Sequence, residues 1–439
     1  MEVYVHIPFC VRKCGYCDFV SAPAGEQVQG AYMKALRREI CLAAEEQRQR
    51  SSRQDVFWQD RGRREADADT GPRKAGFWQK GWGERMDGVV TSVFFGGGTP
   101  SIVEAGEIEE TLACLRKEFA MAEEAEITLE ANPGTLTKEK MEVYRRAGVN
   151  RLSIGLQSAD DGELALLGRI HTFEEFKENY RLARETGFRN ISVDLMAALP
   201  GQSTESFERS LLAVTGLSPE HISVYSLIIE EGTPFYGKYH RQAAAREAGE
   251  EDCSPLPSEN VERAMYAMTG RILAACGYGR YEISNYAKHG FACRHNVGYW
   301  TGVPYLGFGI SAASYLNGRH TGEMPEHGKR FSNTDDMGTY LRPGMSLGQI
   351  RQDEEIVTTE RAMEEFMFLG LRMTEGVSEK EFAGRFGREP EAVYGTVLKT
   401  MEREGLMERT APDRHGDAHW RLTARGIDVS NYVLAGFLF

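Results

Sequence analysis

A chain of 439 residues exceeds the length at which a single hydrophobic core usually stops growing, so one large domain and a smaller one are expected. With 41% hydrophobic and 27% charged residues the composition is that of a folded globular protein, which excludes wholesale disorder. A net charge of −13 argues against a general nucleic-acid binder, because such proteins neutralise phosphates with Lys and Arg.

The chain opens on an apolar run at 3–7, a strand candidate, followed at once by three of its 8 cysteines. No basic segment leads into a long apolar one there, and no run of about 18 apolar residues occurs anywhere, so a cytoplasmic protein is expected. Apolar residues at helical spacing predict a helix over 31–50. Residues 47–88 are rich in Arg, Gln, Gly, Asp and Trp without period and read as a surface insertion. A loop is the expectation there, with a membrane or partner contact through Trp58, Trp78 and Trp82 as the alternative. Strands are predicted at 90–95, 126–130, 151–156, 191–195 and 221–227, with helices at 104–119, 173–186 and 204–214 between them. Alternation of this kind predicts βα units around a parallel sheet.

Six units are too few for a closed eight-stranded barrel. The expected fold is α/β, a partial (β/α)6 barrel over 1–235, with functional groups at the C-terminal ends of its strands. Residues 242–257 read as a loop within a barrel-completing segment, 236–350. In the last part, 351–439, three helix patterns from 360 precede a hairpin at 406–422, the order of a winged helix. Its third helix mixes Glu391, Glu402 and Glu404 with Lys399 and Arg403, so packing rather than DNA reading is expected of it.

Cys10, Cys14 and Cys17 form C-x3-C-x2-C, which supplies three local thiolates and leaves one iron of a 4Fe-4S cluster open to an exogenous chelate. A zinc site completed by His6 or a distant residue is the alternative. Cys41, Cys114, Cys253 and Cys276 look isolated, and buried or inert thiols are expected for them. The segment from Val93 to Pro100, VFFGGGTP, runs a strand into three glycines, a backbone that a ligand can approach closely. Glu130, Gln157 and Asp194 end later strands, and together with Arg169 they suit hydrogen bonding to ribose hydroxyls and a carboxylate at one mouth.

In combination, YVHIPFC, FFGGGTPS, TLEANPGT, RLSIGLQS, LLGRIHT, ISVDLMAALPGQ, VYSLIIEEGTPF, YEISNYAK, CRHNVGYW and LGFGISAAS resemble the oxygen-independent coproporphyrinogen III oxidase family of radical S-adenosylmethionine proteins, along nearly the whole chain. The resemblance implies a 4Fe-4S cluster on Cys10, Cys14 and Cys17, and S-adenosylmethionine contacts at Tyr4, Tyr16, Gly97, Gly98, Thr99, Glu130, Gln157, Arg169 and Asp194. In the oxidases those contacts are shared between two S-adenosylmethionine molecules. Within the family the chain is most similar to the heme-chaperone branch. Phe19 stands where the oxidases carry a further cysteine, their N-terminal extension is missing, and HNVGYW from His295 matches the HN-x-x-YW motif that the branch associates with heme. That likeness implies heme as cofactor or cargo, His295 as axial ligand with Cys293 as second choice, and heme-accepting respiratory apoproteins as partners, with peripheral membrane contact through them. Oxidative decarboxylation of coproporphyrinogen III is the alternative activity.

Overall fold

The structure, a computed structural model, describes residues 1–61, 88–317 and 327–439. In β1 (Glu2–Ile7) the apolar Val3, Val5 and Ile7 alternate with Glu2, Tyr4 and His6. The same period runs through β2 (Val90–Gly97), β3 (Met121–Ala131), β4 (Arg151–Gln157), β5 (Ile191–Ala197) and β6 (His221–Ser226). A period of two sends successive side chains to opposite faces. The apolar set, such as Val5, Phe95, Leu129, Ile154, Val193 and Ile222, is buried in the main core. The other set is polar yet also buried, with Glu2, Ser92, Glu126, Arg151, Ser192 and His221 all shielded from solvent. Buried polar groups seek partners: Ser192 bonds His221 at 2.8 Å, Ser92 bonds His295 at 2.9 Å, and Glu126 accepts from Arg294 N at 3.1 Å.

Strands β1 to β6 are parallel and lie in sequence order. Two short strands, β7 (Gly279–Arg280) and β8 (Asn285–Ala287), continue the sheet antiparallel beyond β6. On the other edge β9 (Tyr305–Phe308) pairs parallel with β1, a seventh parallel strand drawn from far along the chain. The antiparallel β10 (Ala313–Leu316), β11 (Lys329–Asn333) and β12 (Arg351–Ile356) follow, giving a 12-stranded sheet that does not close on itself.

Connecting helices α1 (Glu26–Arg61), α2 (Ala105–Glu118), α3 (Lys138–Ala147), α4 (Asp161–Leu167), α5 (Phe173–Glu185) and α6 (Thr204–Gly216) return the chain between strands. Along α1, Tyr32, Leu36, Ile40 and Ala43 form the buried stripe, as a 3.6-residue period requires. Glu39 on that stripe accepts hydrogen bonds from Gly309 N at 2.9 Å, Asn333 Nδ2 at 2.6 Å and Tyr340 Oη at 2.6 Å. Burial pushes its carboxyl up to about 7 despite these donors.

Two expected loops are partly helical. Helix α1 continues to Arg61, because 47–61 contains neither Gly nor Pro to stop it. Trp58 therefore falls in α1, while Trp78 and Trp82 lie outside the described residues. Likewise 242–247 belongs to α7 (Pro234–Glu247), an Ala-rich helix started by Pro234 and capped by Thr233, whose side chain accepts from Tyr236 N. Helix α8 (Glu259–Ala275) packs next to α6.

Beyond β12 the helix Thr359–Gly370 leads into β13 (Val377–Ser378), the helices Glu379–Phe386 and Pro390–Arg403 come next, and the hairpin of β14 (Met407–Arg409) and β15 (His419–Leu422) follows; β13 and β14 flank β15 in a three-stranded sheet. Met367, Leu371, Phe382, Leu398, Val433 and Phe437 give this part a core of its own. Among the described residues no helix is long and apolar enough to cross a membrane.

Candidate cofactor site

The C-terminal end of β1 leads straight into the cysteine loop, and the glycine loop after β2 is zipped onto it. Gly98 N donates to Ile7 O at 2.9 Å and Thr99 N to Phe9 O at 2.7 Å. A Cβ at Gly98 would lie 2.6 Å from Phe9 O, so only glycine permits this approach. Gly97 takes φ +105 and faces the His6 ring. Thr99 is buried, and its Oγ1 lies 3.6 Å from Cys10 Sγ while accepting from Asn132 Nδ2 at 2.7 Å. Arg169 completes the wall, with Nη2 donating to Asn132 Oδ1 at 2.6 Å and Gly155 O at 2.5 Å, and Nη1 lying 3.8 Å from Cys14 Sγ. Tyr16 packs edge-on against Phe235 beside Arg169, in a small apolar cluster with Leu167, Met196 and Leu227.

Cys10, Cys14 and Cys17 are free thiols, each half-buried on this loop. Among the described residues no three His, Cys, Asp or Glu side chains are set around a single ion. A cubane needs no such convergence, because each thiolate binds a different iron. His6, the proposed fourth zinc ligand, has both ring nitrogens engaged, Nδ1 with Tyr4 Oη at 3.1 Å and Nε2 with Val20 O at 3.0 Å. The donor set therefore fits a three-thiolate cluster better than a zinc tetrahedron.

Deeper in the same mouth, Glu130 on β3 and Asp194 on β5 are close enough for their charges to interact, with β4 between the two strands. Burial and the neighbouring Asp194 push the Glu130 carboxyl up to about 8. Burial also raises Asp194, opposed by hydrogen bonds from Ser153 at 3.3 Å and Ser192 at 3.4 Å. Gln157, at the end of β4, holds φ +76, a left-handed conformation that costs a non-glycine residue energy and is common at ligand sites. Tyr4, Tyr16, Gly97, Gly98, Thr99, Glu130, Gln157, Arg169 and Asp194 thus all belong to the loop and strand ends above the barrel or to its inner lining.

Residues 83–214 match the radical SAM superfamily and residues 357–429 the HemN C-terminal domain. The chain is 32% identical to heme chaperone HemW of Bacillus subtilis, covering 100% of this chain and 99% of that one. The chain belongs to the HemW heme chaperone family. The Escherichia coli HemW is 31% identical over 100% of this chain and 98% of its own. The fold is shared with coproporphyrinogen III oxidase (HemN) from E. coli, at a TM-score of 0.70 and 22% identity, over 99% of this chain and 89% of that one. Membership of the radical SAM superfamily implies an iron–sulfur cluster and S-adenosylmethionine.

The HN-x-x-YW motif lies at the opposite end of the barrel from the cysteines. Helix α9 (Arg294–Trp300) plugs the N-terminal ends of the strands, its first amides held by Glu126, which accepts from Arg294 N at 3.1 Å and His295 N at 3.4 Å. His295 points into the barrel, where Nδ1 bonds Ser92 Oγ at 2.9 Å and the ring stacks on Phe94 at 5.1 Å and 27°. Burial and Arg151 push it down to about 3, so it is neutral at pH 7 and its 3.7 Å approach to Glu2 is not an ion pair. With only 12% of its side chain exposed, His295 lines the barrel floor. Cys293, the second choice, is completely buried, and burial raises its thiol. Trp300 lies under Arg372 of the C-terminal part at 4.3 Å, whereas Tyr299 is exposed.

Sequence reasoning missed Asn132, which ties Thr99 to Arg169, and the floor residues Glu126, Arg151 and His221. Their signal was a polar residue at every second position of the strands. Of the four cysteines expected to be buried or inert, Cys253 is buried, Cys114 is half-buried, and Cys41 and Cys276 are exposed.

Proposed function

We propose that the protein binds heme and hands it to heme-accepting respiratory apoproteins, with a 4Fe-4S cluster on Cys10, Cys14 and Cys17 and S-adenosylmethionine in the adjoining mouth. The end-to-end likeness to HemW relatives carries the reading. Phe19, exposed in the cysteine loop, supports it against the oxidase alternative, whose members carry a cysteine there. In this reading the glycine loop at Gly97, Gly98 and Thr99 receives the methionine amino group, and Arg169 its carboxylate. Glu130 and Asp194 accept from the ribose hydroxyls, while Tyr4, Tyr16 and Gln157 fill the remaining wall. When bound, a reduced cluster supplies one electron to the sulfonium.

The test is anaerobic titration of the reconstituted protein with heme, followed by absorption, beside incubation with coproporphyrinogen III, S-adenosylmethionine and a reductant. Saturable heme binding without protoporphyrinogen is expected. Product formation without heme affinity would select the oxidase. In the same titration His295→Ala should keep its heme spectrum and lose stability by about 1–3 kcal/mol, because it vacates a buried hydrogen-bonded site. Loss of the spectrum from a folded variant would identify His295 as the ligand.

Removing either carboxylate, in Glu130→Ala or Asp194→Ala, should weaken S-adenosylmethionine binding roughly 10- to 100-fold, the loss of about 1.5–3 kcal/mol from a charge-assisted hydrogen bond, with the cluster retained. The pH dependence follows from Glu130. Its pKa of about 8 leaves it mostly protonated at pH 7. If the ionised form accepts the ribose hydroxyls, binding at pH 7 must first remove that proton, so affinity rises with pH and levels off above about 8. Calorimetry should show roughly a tenfold gain between about pH 7 and about pH 9 in the wild type, absent from Glu130→Gln.

A further inference from the structure

Helices α1 and α2 lie side by side on the outer face, joined by ion pairs from Arg37 to Glu107 at 2.6 Å and to Glu110 at 3.0 Å. One turn further along α1, Cys41 Sγ lies 3.7 Å from Cys114 Sγ of α2. Cys41 is exposed, Cys114 is half-buried, and both are free thiols. Cys41 also lies 3.9 Å from Glu118 Oε1, and Cys114 lies 3.7 Å from Arg37 O. A disulfide requires sulfurs about 2.05 Å apart, so this pair must still close the remaining gap to bond.

We propose that Cys41 and Cys114 are a redox-sensitive dithiol, which a low-molecular-weight disulfide oxidises to an intramolecular disulfide that clamps α1 to α2. The exposed Cys41, as thiolate, attacks one sulfur of oxidised glutathione and releases one glutathione thiolate. Cys114 then gives up its proton and attacks Cys41 Sγ, releasing the second glutathione. Two protein thiols lose two hydrogens in total, and the two electrons reduce the reagent to two thiols. Burial and the adjacent Cys41 push the Cys114 thiol up to about 12, which fits Cys41 as the entering group; once Cys41 is capped, its contribution to that rise is removed.

The clamp would act on a helix that also braces the end of β1. Helix α1 begins shortly after that loop, and its Tyr32 Oη donates to His6 O at 2.8 Å, at the end of β1. Disulfides are rare in reducing compartments unless they sense or transmit redox state, and a pair this close without an established structural bond suits that role.

The experiment treats the reconstituted full-length protein anaerobically with oxidised glutathione, blocks the remaining thiols by alkylation and maps the peptides by mass spectrometry. Exposed Cys276 reports that the oxidant is effective. The expected result is a cross-link between Cys41 and Cys114, reversed by dithiothreitol, with a higher melting temperature and unchanged cluster absorbance. Cys41→Ser and Cys114→Ser should each abolish the cross-link and the thermal shift. Separate glutathione adducts on the two cysteines, or both still open to alkylation when Cys276 is modified, would overturn the proposal.

Discussion

Alanine at Cys10, Cys14 or Cys17 should abolish the 4Fe-4S cluster, leaving iron and sulfide near background after anaerobic reconstitution. Each substitution removes one of three thiolates on a loop that offers no substitute. His6 is committed to Tyr4 and Val20 through both nitrogens. The remaining cysteines lie elsewhere: Cys41 and Cys114 on outer helices, Cys276 exposed at the end of α8, Cys293 in the barrel floor, and Cys253 buried in the loop after α7 with its thiol 2.9 Å from Glu250 O. Alanine at Cys41, Cys114, Cys253 or Cys276 should therefore leave cluster content near wild type. Iron and acid-labile sulfide analysis, with the cluster's visible absorption, checks both halves. A full cluster in Cys14→Ala, or its loss in a folded Cys114→Ala, would remove the assignment.

What the sequence disclosed depended on how far apart the interacting residues lie. The six barrel strands were legible because apolar alternation is local, and each lies within a few residues of its expected bounds. The cysteine motif was legible for the same reason. Pairings between distant segments were not: β9 joins β1 across some three hundred residues, with Glu2 opposite Tyr305. The motif around His295 says nothing of Ser92 and Phe94, which enclose the ring only after α9 has closed the barrel floor. Cys41 and Cys114 looked isolated because their proximity exists only once α1 packs beside α2. Helix ends also failed where no breaker marked them, as in the continuation of α1 to Arg61.

The glycine loop offers a sharper test of the site, because its geometry depends on one missing atom. In Gly98→Ala the new Cβ would lie 2.6 Å from Phe9 O, 2.9 Å from Phe9 N and 3.0 Å from Ile7 O. All three are backbone atoms at the entrance to the cysteine loop, so no side chain can rotate away to relieve the contact. Relief requires the glycine loop to part from β1, which breaks the 2.9 Å bond from Gly98 N to Ile7 O and the 2.7 Å bond from Thr99 N to Phe9 O. Overpacking of this kind typically costs about 1–3 kcal/mol, and each lost hydrogen bond about 1 kcal/mol more. Thr99 would then move from its 3.6 Å contact with Cys10 Sγ, and the loop would no longer hold its first thiolate in place. We expect a lower melting temperature and cluster content reduced to a small fraction of wild type. Gly106→Ala is the control, since a Cβ there, on α2, meets nothing within 4 Å. It should match the wild type in cluster content and be slightly more stable, because alanine favours a helix over glycine by about 1 kcal/mol. Normal cluster loading and S-adenosylmethionine affinity in Gly98→Ala would show that the close approach of these two loops is not what holds the cofactor site together.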